Sequence, residues 1–561
     1  MNEERSPIDT KVMMAFAVLV ALVLLLPTYW EWIGFKPAPK PISKMADSTA
    51  TAFPSAADTS SLSNRSTIRS RITNDSAKSI FVVDSAWSGE TVQVTTPKYE
   101  ASFSTQGARL ARLVLKDYRY TDPERHDQPI VLLDTVDAAA GGGPGFQFDS
   151  PEIDLSLAQF RVDRTSVSLA KEDSGSVRFT VRTKSGNEWA VIYTFRGDRY
   201  DFQTRLLVPA PWQDGVEREL HYGWQGGLWP TEPDPAGDNN DFAAVALMGK
   251  DLERIGKVDH DQPVSNLSGQ TYWAAVRTKY FVCATIPATE AGGFRSVGRE
   301  RFIPFEGKTI PLKQFDALVR VDLRTGEPID LAFRVYAGPI DYDVLKSYGV
   351  GLEQMVNLGW RWLVRPFALV FLWLFQRLYA VFANYGIVII IFSLLIKTIF
   401  HPLTKKQIRS MRKMQALQPK MEKLKERFKD DAQRLNQEMM KMYREAGINP
   451  MAGCLPLLPQ MPIFYALFQV FRTSIELRGA HFVFWLTDLS QKDPYYILPI
   501  LMTICMFAQQ TLSTKDPKQK MMTYMMPLLF GFMFRNFPAG LTLYWTMFNI
   551  FSIIEQVWLI G

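Results

Sequence analysis

Lys397 closes a stretch of 19 residues, 378–396, that carries no Asp, Glu, Lys or Arg, and it precedes His401-Pro402. A cation at the centre of a bilayer costs ~2.5–3.5 kcal/mol on insertion scales, so a lysine there is a functional candidate by default. The alternative is that Lys397 lies near the end of its span and snorkels to the headgroups. Its companions favour the first reading. Ser393 sits one turn earlier on the same helix face. In the last apolar stretch Thr542, Thr546 and Asn549 recur at i, i+4 and i+7, and Ser552 and Gln556 extend the stripe. Gln460 and Gln469 lie in one earlier stretch, and Thr503, Gln509 and Gln510 in another. Any one of them reads equally well as an interhelical hydrogen bond. Together they describe a wettable cavity between helices, with Lys397 as its only strong charge.

Other chemistry has little support. The sequence contains no HExxH, GxSxG or Walker A pattern. Gly141-Gly142-Gly143-Pro144-Gly145 lacks the strand-then-helix setting of a phosphate loop and reads as a plain loop. Three cysteines, Cys283, Cys454 and Cys505, form no CxxC pair and no disulfide framework, and five histidines are scattered. The expectation is a protein that is not an enzyme and uses no metal or cofactor. Residues 404–449 hold 13 Lys and Arg against 6 Asp and Glu. That stretch lacks the interleaved aromatics of a nucleic-acid site, so DNA is not expected. Anionic lipid or a ribosome surface would suit its charge.

The elements that position these residues follow from charge and apolar length. The chain has 561 residues and a net charge of +6, and its mean hydropathy of −0.06 resembles that of a soluble protein. The average hides a split, because residues 351–561 carry 24 Lys and Arg against 12 Asp and Glu, whereas 36–350 carry 37 against 41. Uncharged runs at 12–30, 378–396, 446–471, 494–514, 521–534 and 536–554 suggest six membrane spans. A transmembrane helix needs ~20 mostly apolar residues; the short run 521–534 has Lys520 and Arg535 to snorkel from its ends. The first run could be a cleaved signal peptide. Tyr29, Trp30 and Trp32 after Pro27 read instead as an interfacial belt behind an uncleaved anchor. Basic loops face the cytoplasm, which places 404–449 and both termini there and the acidic middle outside.

Residues 36–77 are rich in Pro, Ser, Thr and Ala and read as a flexible linker. From 78 to 345, period-2 runs such as Ser176–Thr183 and Trp189–Arg196 are bounded by Ser-Gly, Gly-Asn and Gly-Asp turns. They indicate an antiparallel β-sandwich. Residues 346–383, with Trp360, Trp362 and Phe367 interrupted by Arg361, Arg365 and Arg377, suggest an amphipathic interfacial helix. The expected fold is a multidomain membrane protein: an all-β domain outside the membrane, and an α-helical core of five transmembrane helices plus an N-terminal anchor at 1–35. The second span covers 384–403, a cytoplasmic helical hairpin 404–449, and spans three to six 450–561. Pro419 should kink the first hairpin helix, and Lys429-Asp430-Asp431 should turn the chain. Pro450, Pro456, Pro459 and Pro462 make the third span unusual.

The sequence from Asn384 to Gln556 resembles the YidC-type membrane protein insertases. The carrying segments are Ile387–Lys397 with His401-Pro402-Leu403-Thr404-Lys405, and Leu417-Gln418-Pro419-Lys420. They continue with Asn449-Pro450-Met451-Ala452-Gly453-Cys454-Leu455-Pro456, Asp493–Pro499, and Phe537-Pro538-Ala539-Gly540-Leu541-Thr542-Leu543-Tyr544-Trp545. Phe103-Ser-Thr-Gln-Gly and Tyr336-Ala-Gly-Pro resemble the family's periplasmic domain more loosely. The resemblance implies an inner-membrane protein that inserts and folds nascent membrane proteins, alone or beside the Sec translocase. Its groove would open to cytoplasm and lipid. Lys397 matches the family's groove cation, usually arginine; lysine keeps the charge and loses the bidentate fork. Trp545, beside Tyr544, matches the substrate-contacting position. Membrane lipids are implied partners, and the hairpin 404–449 is an implied contact for the ribosome and the signal-recognition-particle receptor. The chain ends at Gly561 without the basic tail that many members carry. A small-solute transporter or channel is the main rival reading, and a membrane-anchored enzyme or sugar-binding module, with the β domain as the active part, is another.

Overall fold

The computed structural model describes residues 79–560, apart from 85–86, 123, 135–141, 149–152, 211–218, 306, 325, 430, 448–456 and 514–519. The expected anchor and linker at 1–77, and Pro450, Cys454 and Pro456 of the third run, fall outside the described residues. The chain divides into two units between Met355 and Val356.

The first unit is β-rich because its apolar residues alternate. Val177, Phe179 and Val181 of strand Ser174–Arg182 are buried while Arg178 and Arg182 are exposed. They face Tyr193, Val191 and Trp189 across the antiparallel pair with Glu188–Arg196. A slip of one residue would turn every one of these side chains into water, so the pattern fixes the register. Two sheets result. Strands Pro129–Asp134, Arg109–Arg119, Tyr99–Ser104, Thr91–Thr95 and Ser166–Ser168 form a five-stranded sheet in that spatial order. Thirteen strands between Gly143 and Pro339 form the other.

The sheets meet through aromatic rings. Phe103 of the smaller sheet lies 4.6 Å from Tyr193, 5.6 Å from Phe195, 6.1 Å from Phe202 and 6.4 Å from Phe179, all of the larger sheet. Each such ring stabilises the fold by about 1.5–3 kcal/mol through burial alone. The Tyr193 hydroxyl donates to the Ala108 carbonyl at 2.7 Å, so the core phenol is not left unpaired.

The glycine run departs from the expected loop. Gly143, Pro144 and Gly145 open strand Gly143–Phe148, paired with Leu220–Gln225. Glycine suits Gly143 because its φ is +87° and a Cβ there would come within 2.9 Å of Leu133 Cδ2. Elsewhere in this unit, the buried Asp238 accepts the Lys279 backbone N–H at 3.2 Å. Burial, reinforced by the charges of Glu232 and Asp241, pushes its carboxyl up to about 8.

The second unit is helical. Its helices are α1 (Arg365–Phe382), α2 (Tyr385–Ala416), α3 (Gln418–Arg427), α4 (Ala432–Glu445), α5 (Leu457–Thr473), α6 (Ile497–Ser513), α7 (Lys520–Phe534) and α8 (Ala539–Ile560). By length and composition, Arg365–Phe382 and Tyr385–Lys405 can each cross a bilayer, and Ile497–Thr511 and Tyr524–Phe534 are shorter apolar segments. Ala383, in the left-handed conformation, separates α1 from α2.

Two local expectations change here. Helix α2 does not stop at 403; it runs 32 residues, about 48 Å at 1.5 Å per residue, through Pro402 and into the basic stretch. Pro419 does not kink a helix. It occupies the first turn of α3, where its missing N–H would have no helical partner anyway. The hairpin turn hands over to α4 through Asp431, whose side chain caps the Arg434 N–H at 2.9 Å. The Tyr443 hydroxyl then reaches Met421 Sδ at 3.1 Å and ties α4 to α3.

Helix α8 packs between α2 and α6, and α7 packs on α6, while α1 packs on α2 and α5. Lipid tails are as apolar as leucine, so such contacts depend on close fit rather than on water exclusion. The fit is aromatic on one side: Phe392 lies 5.1 Å from Phe371, 4.9 Å from Phe375 and 6.0 Å from Tyr544. On the α6–α7 side it is steric, because a Cβ on Gly531 would come 2.1 Å from Thr503 Oγ1. The loop before α8 pins its start, where the Ala539 and Gly540 N–H groups donate to the Gln491 and Leu489 carbonyls.

Candidate functional site

Lys397 and the α8 stripe face each other. Helix α2 delivers Lys397 three turns after its start, and the Phe392–Tyr544 contact sets the rotation of α2 against α8. Lys397 is only 7% exposed. Its ammonium donates to Ser552 Oγ at 2.8 Å and lies 5.0 Å from the Phe548 ring centroid, both on α8. The snorkelling alternative does not describe this side chain.

Its strongest partner is Glu555, whose Oε2 is 2.7 Å from Lys397 Nζ. The other oxygen of that carboxylate, Oε1, is 2.5 Å from Nδ1 of His401, one turn beyond Lys397 on α2. Lys397 is therefore not the only strong charge between the helices, and the expectation of a lone cation is corrected. Glu555 ends the uncharged run 536–554 and so reads in sequence as a boundary. The available signal was its spacing, since Asn549, Ser552 and Glu555 are successive i+3 positions.

The hydroxyls behave differently from a freely wetted stripe. Ser393 donates to the Ile389 carbonyl at 2.7 Å, Thr542 to Pro538 at 3.2 Å, Thr546 to Thr542 at 2.8 Å and Ser552 to Phe548 at 2.7 Å. Each proton is committed to its own helix, and each oxygen keeps a lone pair to offer. Ser552 uses that lone pair on Lys397. Among the described residues, Asn549 Nδ2, Gln469 Oε1 and Trp545 Nε1 are buried without a protein partner, which suits groups that water or a polar chain would satisfy.

Tyr544 is buried between Phe392 and Phe548, whereas Trp545 is half-buried, 5.2 Å from Phe464 and 5.9 Å from Phe534. Gln460 and Gln509 are half-buried on α5 and α6. The ion pair, hydrogen bond and ring contact of Lys397 all run to α8, so neither glutamine joins it. Among the described residues, no group of three or more His, Cys, Asp or Glu side chains is placed to hold a metal ion. A cleft on the β-rich unit is lined by Arg196, Arg199, Asp201 and Arg334. There Asp201 is engaged by Arg199 at 2.6 Å and by the Tyr348 hydroxyl at 2.7 Å.

Apolar helices around a buried charge pair, on a chain that also builds two packed β-sheets, define an α-helical membrane protein with an appended β domain. The family model described as 60Kd inner membrane protein matches residues 377–561, and that of the YidC periplasmic domain matches 91–370. The membrane protein insertase YidC of Syntrophus aciditrophicus is 33% identical over 560 residues, 98% of this chain and 99% of the relative. That of Chlorobaculum tepidum is 34% identical over 501 residues, 85% and 83% of the two chains. Among solved structures, an active YidC insertase with its first transmembrane domain resolved aligns over 88% of this chain and 98% of its own, at 19% identity and a TM-score of 0.36. A GalM/aldose epimerase homologue from C. elegans aligns over 45% of this chain and 99% of its own, at 13% identity and a TM-score of 0.29. The chain belongs to the YidC family of membrane protein insertases, inner-membrane proteins with a periplasmic domain.

Proposed function

We propose that this chain inserts nascent membrane proteins through a polar groove between α2, α5, α6 and α8, in which Lys397 attracts acidic side chains of the substrate's hydrophilic flank. The observation that carries the reading is the buried ammonium of Lys397 facing the polar stripe of α8. A polar flank entering such a groove meets hydroxyl oxygens and the amides of Asn549, Gln460 and Gln509, and loses less hydration than in hydrocarbon. The apolar segment passes the half-buried Trp545 into lipid, with Tyr544 as the packed wall behind it. Its burial drives the process at roughly 25 cal/mol per Å² of apolar surface. Helix α7, at 15 residues, spans about 22 Å at 1.5 Å per residue and falls short of ~30 Å of hydrocarbon. Local thinning of the bilayer there would lower the barrier further.

The topology that goes with this mechanism has six spans, both termini in the cytoplasm and α1 at the outer interface. The long basic extension of α2 with α3 and α4 then stands in the cytoplasm, where it can meet anionic lipid, the ribosome or the signal-recognition-particle receptor. Work beside the Sec translocase belongs to the same reading. The test is reconstitution of the purified chain, alone, into protein-free liposomes with a small single-span substrate. Protease protection above that of empty liposomes is expected, and equal protection would sink the proposal. Removing 60–330 should leave much of the activity, which a sugar-binding module would not tolerate.

A further inference from the structure

We propose that Glu555 is a built-in stand-in for the acidic side chain of the substrate: it holds Lys397 while the groove is empty and is exchanged for an incoming carboxylate. The proposal rests on the electrostatic reading of Lys397 and adds a residue that decides which substrates benefit from it.

Glu555 uses its two oxygens on two different partners, Oε2 on Lys397 at 2.7 Å and Oε1 on His401 at 2.5 Å. The partners differ in access. The Lys397 and Glu555 side chains are each 9% exposed, whereas that of His401 is 37% exposed. The carboxylate thus bridges an enclosed cation and an imidazole open to its surroundings. A small side-chain rotation can break the first contact and keep the second.

Glu555 is held by two side chains of α2, the Lys397 ammonium and the His401 imidazole. Among the described residues, Lys397 in turn has no other charged partner, only Ser552 Oγ and the Phe548 ring. Without Glu555 it would be an enclosed cation with one neutral hydrogen bond, a costly arrangement.

The consequence is an exchange and not a simple attraction. A substrate carboxylate reaching Lys397 replaces one carboxylate with another, and the displaced Glu555 stays on His401. The groove keeps a compensated lysine before and after. An acidic flank is admitted without being trapped, which lets the substrate leave for the lipid. A neutral flank gains nothing by displacing Glu555.

The test uses the full chain in liposomes and two single-span substrates that differ only by Glu or Gln in the translocated flank. The readout is the ratio of their insertion at limiting insertase. Glu555→Gln frees Lys397 and is expected to raise the acidic-to-neutral ratio several-fold. In the double variant Lys397→Gln with Glu555→Gln that rise should vanish. Glu555→Asp withdraws the carboxylate by one methylene and should raise the ratio by less, so the comparison survives if the glutamine variant does not fold. A ratio unchanged by both Glu555→Gln and Glu555→Asp, while Lys397→Gln alone lowers it, would overturn the stand-in role and leave the electrostatic reading standing. A ratio insensitive to Lys397→Gln in every background would overturn both.

Discussion

Lys397 on α2 and Glu555 on α8 form an ion pair of 2.7 Å between residues 158 positions apart, both almost fully enclosed. Such a pair is a poor source of net stability but an expensive one to break, because removing one partner strands the other charge. Lys397→Met should therefore destabilise the detergent-solubilised protein by about 3–5 kcal/mol. The double variant Lys397→Met with Glu555→Leu should recover most of that loss. Thermal unfolding of the two singles and the double provides the cycle; additive losses would contradict a direct pair.

The insertion activity should follow the charge at 397. Lys397→Ala and Lys397→Glu are both expected to lower insertion of an acidic-flanked single-span substrate, the glutamate more strongly because it repels the flank and Glu555 together. Protease protection in liposomes measures both. Activity equal to that of the parent in both variants would remove the electrostatic role.

Asp493 should matter to stability and not to chemistry. It is 1% exposed, and its carboxylate accepts the Trp485 indole N–H at 3.1 Å, the Tyr495 N–H at 3.0 Å and the Leu498 N–H at 2.7 Å. The last two bonds organise the entry to α6, whose first N–H groups have no helical partner. Asp493→Ala should cost about 1–3 kcal/mol and lower the melting temperature. Asp493→Asn, which keeps an acceptor oxygen, should cost less. Equal losses for the two variants would mean that the cap is not the source.

The β-rich unit should become less stable as pH rises, through Asp238. Its carboxyl is pushed from the ordinary 3.8 up to about 8, chiefly by burial. A folded-state value above the unfolded one means that the folded chain keeps a proton the unfolded chain has lost. That contribution is fully present below about pH 4 and is lost as pH climbs towards 8, at roughly 1 kcal/mol per pH unit. Asp238→Asn should flatten this dependence, so its gain over the parent is larger at pH 8 than at pH 5. Tryptophan-fluorescence melts across that range measure it, and parallel curves for the two proteins would refute it.

Much of the architecture was legible because its signals are local. Val177, Phe179 and Val181 announce a strand by alternation alone, and the absence of charge from 378 to 396 announces a membrane-compatible helix. Lys397 and the Thr542, Thr546 and Asn549 stripe stand out for the same reason: polar residues are rare there and their spacing matches a helical turn. Local signals also misled. Pro419 looks like a kink and Gly143–Gly145 like a loop, since proline starts a helix or bends it, and glycine turns a chain or admits a neighbouring side chain, according to what surrounds it.

The sequence by itself determined the apolar helices, the β texture and the one lysine that no apolar helix carries by chance. Only the tertiary structure decided what that lysine touches. Helix rotation is set by packing, here Phe392 against Phe371, Phe375 and Tyr544. No periodicity within α2 or α8 records how the two are turned towards each other. That rotation brings Glu555 and His401 onto one carboxylate bridge beside Lys397, so that the cation is compensated rather than isolated.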